Sequence, residues 1–108
     1  MSGFVKKRWK TARLWWQRRT RGWSDEDTWS LDMTIAQFIL PRLKRFKEIE
    51  NGHPAAMTEA EWDDILDQMI YSFEKYTKKW DEEPDQEMWK KIDVGFDLFA
   101  KWFYDLWW

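Results

Sequence analysis

Few residues in this chain are of the kinds that carry out chemistry. His53 is the sole histidine, placed between Gly52 and Pro54. There is no cysteine, which removes disulfides, thiolate nucleophiles and cysteine-based metal sites. A zinc site needs three or four good ligands, and one histidine in a turn does not supply them. Carboxylates are plentiful. Asp63 and Asp67 stand four residues apart, with Asp64 beside them and Glu59 and Glu61 just before. On a helix that spacing places both on one face, where they could ligate Mg²⁺ or transfer protons. A solvated acidic face explains the same pattern and is the preferred reading. There is no Glu-x-x-His pair of the di-metal bundles, no phosphate loop, no nucleophile elbow and no dinucleotide fingerprint. The expectation is a protein that binds rather than catalyses, with no catalytic residue, no metal and no cofactor.

The chemistry that remains is recognition. Eleven of 108 residues are tryptophan, each bringing a wide apolar face and one N–H donor. Residues 1–22 hold eight cations (Lys6, Lys7, Arg8, Lys10, Arg13, Arg18, Arg19, Arg21) and no carboxylate, so they carry +8 against −10 for residues 23–108. Cations interleaved with indoles admit three functional readings. Arginine forks and indole faces can hold a nucleotide. A basic helix can lie on an anionic membrane. Tryptophan and arginine can anchor a protein partner. A fourth reading is internal: the basic helix lies along the protein's own acidic body and closes the core with its Trp9 and Trp16 stripe. The candidate ligand-binding residues are Arg18, Arg19, Arg21, Trp15, Trp16 and Trp23, gathered near the start of the second helix. Helix N-termini attract phosphate, although Asp25, Glu26 and Asp27 crowd this one. Duplex nucleic acid is disfavoured, because the whole chain is acidic, with a pI near 5.4.

The elements that must position these residues read as helices throughout, with sparse Gly and Pro and no alternating strand pattern. The expected fold is all-α, a compact bundle of about four helices at roughly 4–20, 25–50, 58–80 and 84–107. Val5, Trp9, Ala12 and Trp16 make the first stripe, and Gly22 ends that helix. Ser24 and Asp27 resemble a capping box at the start of the second. Its two stripes, Leu31–Ile35–Phe38 and Ile39–Leu43–Phe46, are offset just before Pro41, which predicts a kink there. Asn51-Gly52 and Pro54 end it. Thr58 and Glu61 form a capping box, with Met57 and Trp62 as its staple. Trp62, Leu66, Met69, Phe73, Tyr76 and Trp80 then repeat every seven residues, as a coiled-coil seam does. Pro84 sits in the first turn of the fourth helix, where Trp89, Ile92, Phe96, Phe99, Phe103 and Leu106 make a seam widened by Val94, Leu98 and Trp102.

One domain, 1–108, is expected, with a basic N-terminal helix (1–22) and an acidic body (23–108). No secretory signal is expected, since the N-terminal charges precede no apolar run. The longest uncharged stretch, Met33–Pro41, falls well short of the roughly 20 residues of a membrane span. Terminal Trp107 and Trp108 would be an aggregation risk if left in water, so self-association, most simply as a dimer, is expected.

The segment Arg21–Asp32, RGWSDEDTWSLD, resembles one found in small phage-encoded proteins. In those, a basic, tryptophan-rich N-terminus leads into a Gly-Trp-Ser-Asp-x-Asp-Thr-Trp-x-Leu-Asp helix start. Gly22–Asp32, Gly52-His53-Pro54 and Thr58–Trp62 carry the likeness, over roughly residues 8–73. The resemblance implies origin rather than mechanism: a phage accessory protein in the cytoplasm of an infected bacterium. Such proteins often act by stoichiometric binding in counter-defence. The first expectation is sequestration of a nucleotide-type immune signal. The alternatives are inhibition of a host defence enzyme, or a peripheral membrane or virion role.

Overall fold

The computed structural model describes residues 3–49 and 52–107, with side chains from Trp9 onward. The side chains of Val5, Lys6, Lys7 and Arg8, together with Asn51 and Trp108, fall outside that description. The described chain is helical: α1 is Gly3–Arg21, α2 Leu31–Ile49, α3 Glu59–Thr77 and α4 Gln86–Lys101. Short 3-10 turns cover Asp25–Thr28 and Phe103–Asp105, and the described residues contain no strand. Tertiary contacts gather into two units, Met1–Thr34 and Ile35–Trp108, with the boundary inside α2.

The four helices follow the apolar periodicity, and α1 and the start of α3 fall where it placed them, but several other ends do not. The second begins at Leu31 rather than 25. Ser24 and Asp27 do pair: the Ser24 N–H donates to the Asp27 carboxylate at 3.0 Å, and the Asp27 N–H to the Ser24 carbonyl at 3.0 Å. They close the separate turn Asp25–Thr28, because α1 side chains hold Asp25 from behind, as described below. The third helix stops at Thr77, where the Lys78 N–H turns back to the Lys75 carbonyl at 3.3 Å, a tightened last turn. Trp80 therefore leaves the seam and is 82% exposed. The fourth begins at Gln86, two residues after Pro84, because the Asp85 carboxylate caps it by accepting the Met88 N–H at 2.8 Å. It ends at Lys101, so Phe103 and Leu106 lie beyond it. The Thr58–Glu61 box forms as read: Thr58 Oγ1 accepts the Glu61 N–H at 3.2 Å, and Glu61 accepts the Thr58 N–H at 3.1 Å.

In the second unit, α3 is the central rod. Trp62, Leu66, Met69 and Phe73 are buried, joined by Ala36 and Leu43 of α2. Ile39, Leu40 and Phe46 complete the α2 side of this core. The other predicted stripe of α2 points elsewhere: Leu31, Ile35 and Phe38 are each about half exposed. Small Ala36 explains the misreading, since it continues the Leu43 face while contributing little hydropathy. α2 runs unbroken through Pro41. The Phe38 ring is covered by the Arg42 guanidinium at 3.7 Å. At the rim, Lys44 pairs with Glu74 and Lys47 with Asp67, exposed ion pairs of the kind that contribute at most about 1 kcal/mol each.

α3 and α4 approach closely at Ser72 and Gly95, both buried. The Ser72 hydroxyl donates to the Ile92 carbonyl at 2.7 Å. A Cβ on Gly95 would overlap Ser72 Oγ and the Gln68 carbonyl oxygen, and would stand 2.7 Å from Ser72 Cβ. Beyond the crossing, aromatic rings interlock. Phe73 packs on Phe96 and Phe99 with centroids 5.0 and 5.1 Å away, and Tyr76 packs edge-on against Phe96 and Trp89. Trp62 meets Trp102 edge to face at 6.1 Å.

Two substitutions measure this packing. Gly95→Ala gains about 1 kcal/mol of helix propensity, but overpacking against a backbone oxygen costs about 3 kcal/mol. A net loss of roughly 2 kcal/mol is expected in a urea titration. Leu43→Ala should cost about 2–5 kcal/mol, whereas Ile35→Ala on the exposed stripe should change stability by under about 0.5 kcal/mol. Equal losses at Leu43 and Ile35 would contradict the assigned core face.

Candidate functional site

Gly22 takes a φ of +81°, a left-handed conformation natural to glycine, and its N–H caps the Arg18 carbonyl at 3.0 Å. The chain thereby doubles back and sets Asp25, Glu26 and Asp27 against the C-terminal half of α1. Gln17 grips Asp25 at two points: its amide Nε2 donates to Asp25 Oδ2 at 2.7 Å, and its Oε1 accepts the Asp25 N–H at 2.6 Å. Arg21 donates to the other carboxylate oxygen at 2.7 Å, donates through Nε to the Trp23 carbonyl at 3.0 Å, and lies 3.7 Å above the Trp23 ring. Arg18 lies 3.5 Å from both Glu26 and Asp27. Leu14 is buried on the same side of the helix. Leu14, Gln17, Arg18 and Arg21 have the i, i+3, i+4, i+7 spacing of one helix face.

Asp25 consequently titrates below its ordinary 3.8. The hydrogen bond from Gln17 is the largest cause, followed by that from Arg21, and both favour the charged carboxylate.

The opposite face of α1 has a different character. Trp9, Arg13 and Trp16 step by four and three, and Ala12, Trp16 and Arg19 do the same beside them. Trp9 is 72% exposed, and Trp15 and Trp16 are about 60%. Trp9 and Trp16, read in the sequence as one stripe, are therefore both exposed. Trp9, Lys10, Ala12, Arg13 and Trp16 line a shallow hollow of about 660 Å³. Arg13 and Arg19 make no ion pair among the described residues.

The six residues singled out by sequence thus divide. Arg18, Arg21 and Trp23 belong to the clasp around the acidic turn. Trp15, Trp16 and Arg19 lie away from it, where Trp9 and Arg13 join them. Gln17 had no sequence signal of its own. Its role depends on a partner eight residues away that only the Gly22 reversal brings near. Trp9 and Arg13 were visible within the basic stripe.

The other reactive residues are scattered. His53 is exposed, with Nδ1 3.0 Å from the Pro54 carbonyl. Asp67 is paired with Lys47 at the α2–α3 rim. Among the described residues no group of three or more His, Asp or Glu side chains is placed to hold a metal ion. No described helix is long and apolar enough to cross a membrane.

The lowered Asp25 pKa gives a pH signature. A depressed carboxylate contributes its stabilisation in full above the ordinary value and loses it as pH falls through the lowered one. The clasp should therefore hold above about pH 4 and loosen in stronger acid. Gln17→Ala should move the Asp25 titration, followed by carboxyl NMR, upward toward 3.8. An unchanged titration would remove Gln17 as the main cause.

No family model, curated protein or solved structure matches this chain.

Proposed function

We propose that this protein acts without catalysis, as a binder that lays the tryptophan face of α1 into an acidic groove on a protein partner. The observation that carries the reading is the asymmetry of α1. One side is neutralised by Asp25, Glu26 and Asp27; the other presents Trp9, Trp15 and Trp16 to solvent beside Arg13 and Arg19, which make no ion pair among the described residues. Tryptophan and arginine are the strongest anchors of protein interfaces, and anchors at i, i+4 and i+7 suit a helix held in a groove.

Spacing weighs against nucleotide sequestration at this face. Trp9 and Trp16 are seven residues apart, a rise of about 10.5 Å, whereas two rings that clasp one base stand only about 7 Å apart at van der Waals contact. The arginines nearest the acidic turn, Arg18 and Arg21, are engaged by its carboxylates. The likeness of Gly22–Asp32 to phage-encoded proteins supplies the setting: a counter-defence protein, in the host cytoplasm, inhibiting a host enzyme. Self-association belongs to the same proposal, supported by exposed Phe103, Tyr104 and Trp107 near the chain end.

Affinity capture from host lysate tests the proposal. One stoichiometric acidic partner is expected, released by rising salt and lost on Trp9→Ala/Trp16→Ala and on Arg13→Glu/Arg19→Glu. Retention by both variants sinks the reading. Co-sedimentation with anionic liposomes, without any protein captured, would replace it with a peripheral membrane role.

A further inference from the structure

The close crossing of α3 and α4 leaves a groove on one side of the pair. Ser72 and Gly95 let the backbones approach, and the larger residues beside them, Tyr71 on α3 and Val94 on α4, form the walls of a hollow of about 520 Å³. That volume is within the range of small-molecule sites. Its apolar surface is accessible: Val94 is 48% exposed on an otherwise polar helix face, and the Tyr71 ring is half-buried.

The charge around this groove reverses that of its surroundings. Residues 23–108 carry a net −10, yet Lys90 and Lys91 line the groove, and Lys75 reaches over the Tyr71 ring at 5.7 Å. Lys75 and Lys91 make no ion pair among the described residues, and Lys90 has only an exposed contact with Glu87 at 3.8 Å. The single carboxylate in the lining, Asp67, is already held by Lys47. Gln68, also in the lining, is turned toward Asp64, to which its amide donates at 2.9 Å.

We infer that this groove is a binding site for a small planar molecule bearing an anionic group, of nucleoside monophosphate size. The ring lies against Tyr71 and Val94, and the anion sits between the ammonium groups of Lys75, Lys90 and Lys91. The site is separate from the α1 face and does not depend on the partner proposed for it.

Adenosine monophosphate is the probe, titrated into the intact protein and followed by amide chemical shifts, with adenosine and inorganic phosphate in parallel. Shifts confined to residues 67–75 and 90–94 are expected, with phosphate alone and adenosine alone each binding about tenfold more weakly or worse. Lys90→Gln/Lys91→Gln should weaken adenosine monophosphate about tenfold and leave adenosine unchanged. Val94→Trp should fill the groove and abolish both. All three substituted positions are exposed, and circular dichroism verifies that each variant folds. The inference is overturned if phosphate binds as well as the nucleotide, if the double glutamine variant keeps its affinity, or if the shifts fall on α1.

Discussion

Helices α3 and α4 are held at a separation that admits no side chain at residue 95. Ser72 and Gly95 meet there, and the serine hydroxyl is satisfied by the carbonyl of Ile92 on the facing helix. Much of the second unit follows from that approach. Ile92 is sealed completely, and the Phe73, Phe96 and Phe99 rings are brought within interlocking distance. α2 adds Ala36 and Leu43 to the other side of α3. The glycine costs helix propensity, and the gain is a close-packed aromatic core. The same small residues open the groove beside Tyr71 and Val94, so one constraint makes both the core and a cleft.

The first unit rests on a different device. α1 is strongly basic, and self-repulsion along its length would weaken it. The left-handed turn at Gly22 returns three carboxylates to its C-terminal half, where Gln17, Arg18 and Arg21 receive them. The acidic turn neutralises one face only. The other keeps its cations and its indoles together, which concentrates recognition chemistry on a narrow strip.

Tryptophan usage follows the same division. Of the ten described tryptophans, Trp62 is buried and Trp102 half-buried, while eight are exposed. So many exposed indoles exceed what a core requires, and large exposed apolar surface marks interaction sites. They are distributed over α1, the turns at Trp29 and Trp80, and Trp107 beyond α4.

Local chemistry in the sequence determined the helical class, the Thr58–Glu61 cap, the stop at Gly22 and the core positions from Trp62 to Phe73. Each depends on residues within a turn or two of one another, where periodicity and capping act directly. The solvent-exposed stripes were not legible in the same way. Trp9 and Trp16, or Leu31, Ile35 and Phe38, have the spacing of buried residues, and hydropathy alone cannot say which of two apolar faces meets a neighbour. Ala36 and Gly95 carried almost no hydrophobic signal, yet their smallness sets the packing distances. Only the tertiary structure decided which α2 stripe is core, which arginines are engaged by Asp25, Glu26 and Asp27, and that Tyr71 and Lys91 line one groove. Those outcomes depend on steric fit and charge pairing between residues far apart in sequence, which no local pattern encodes.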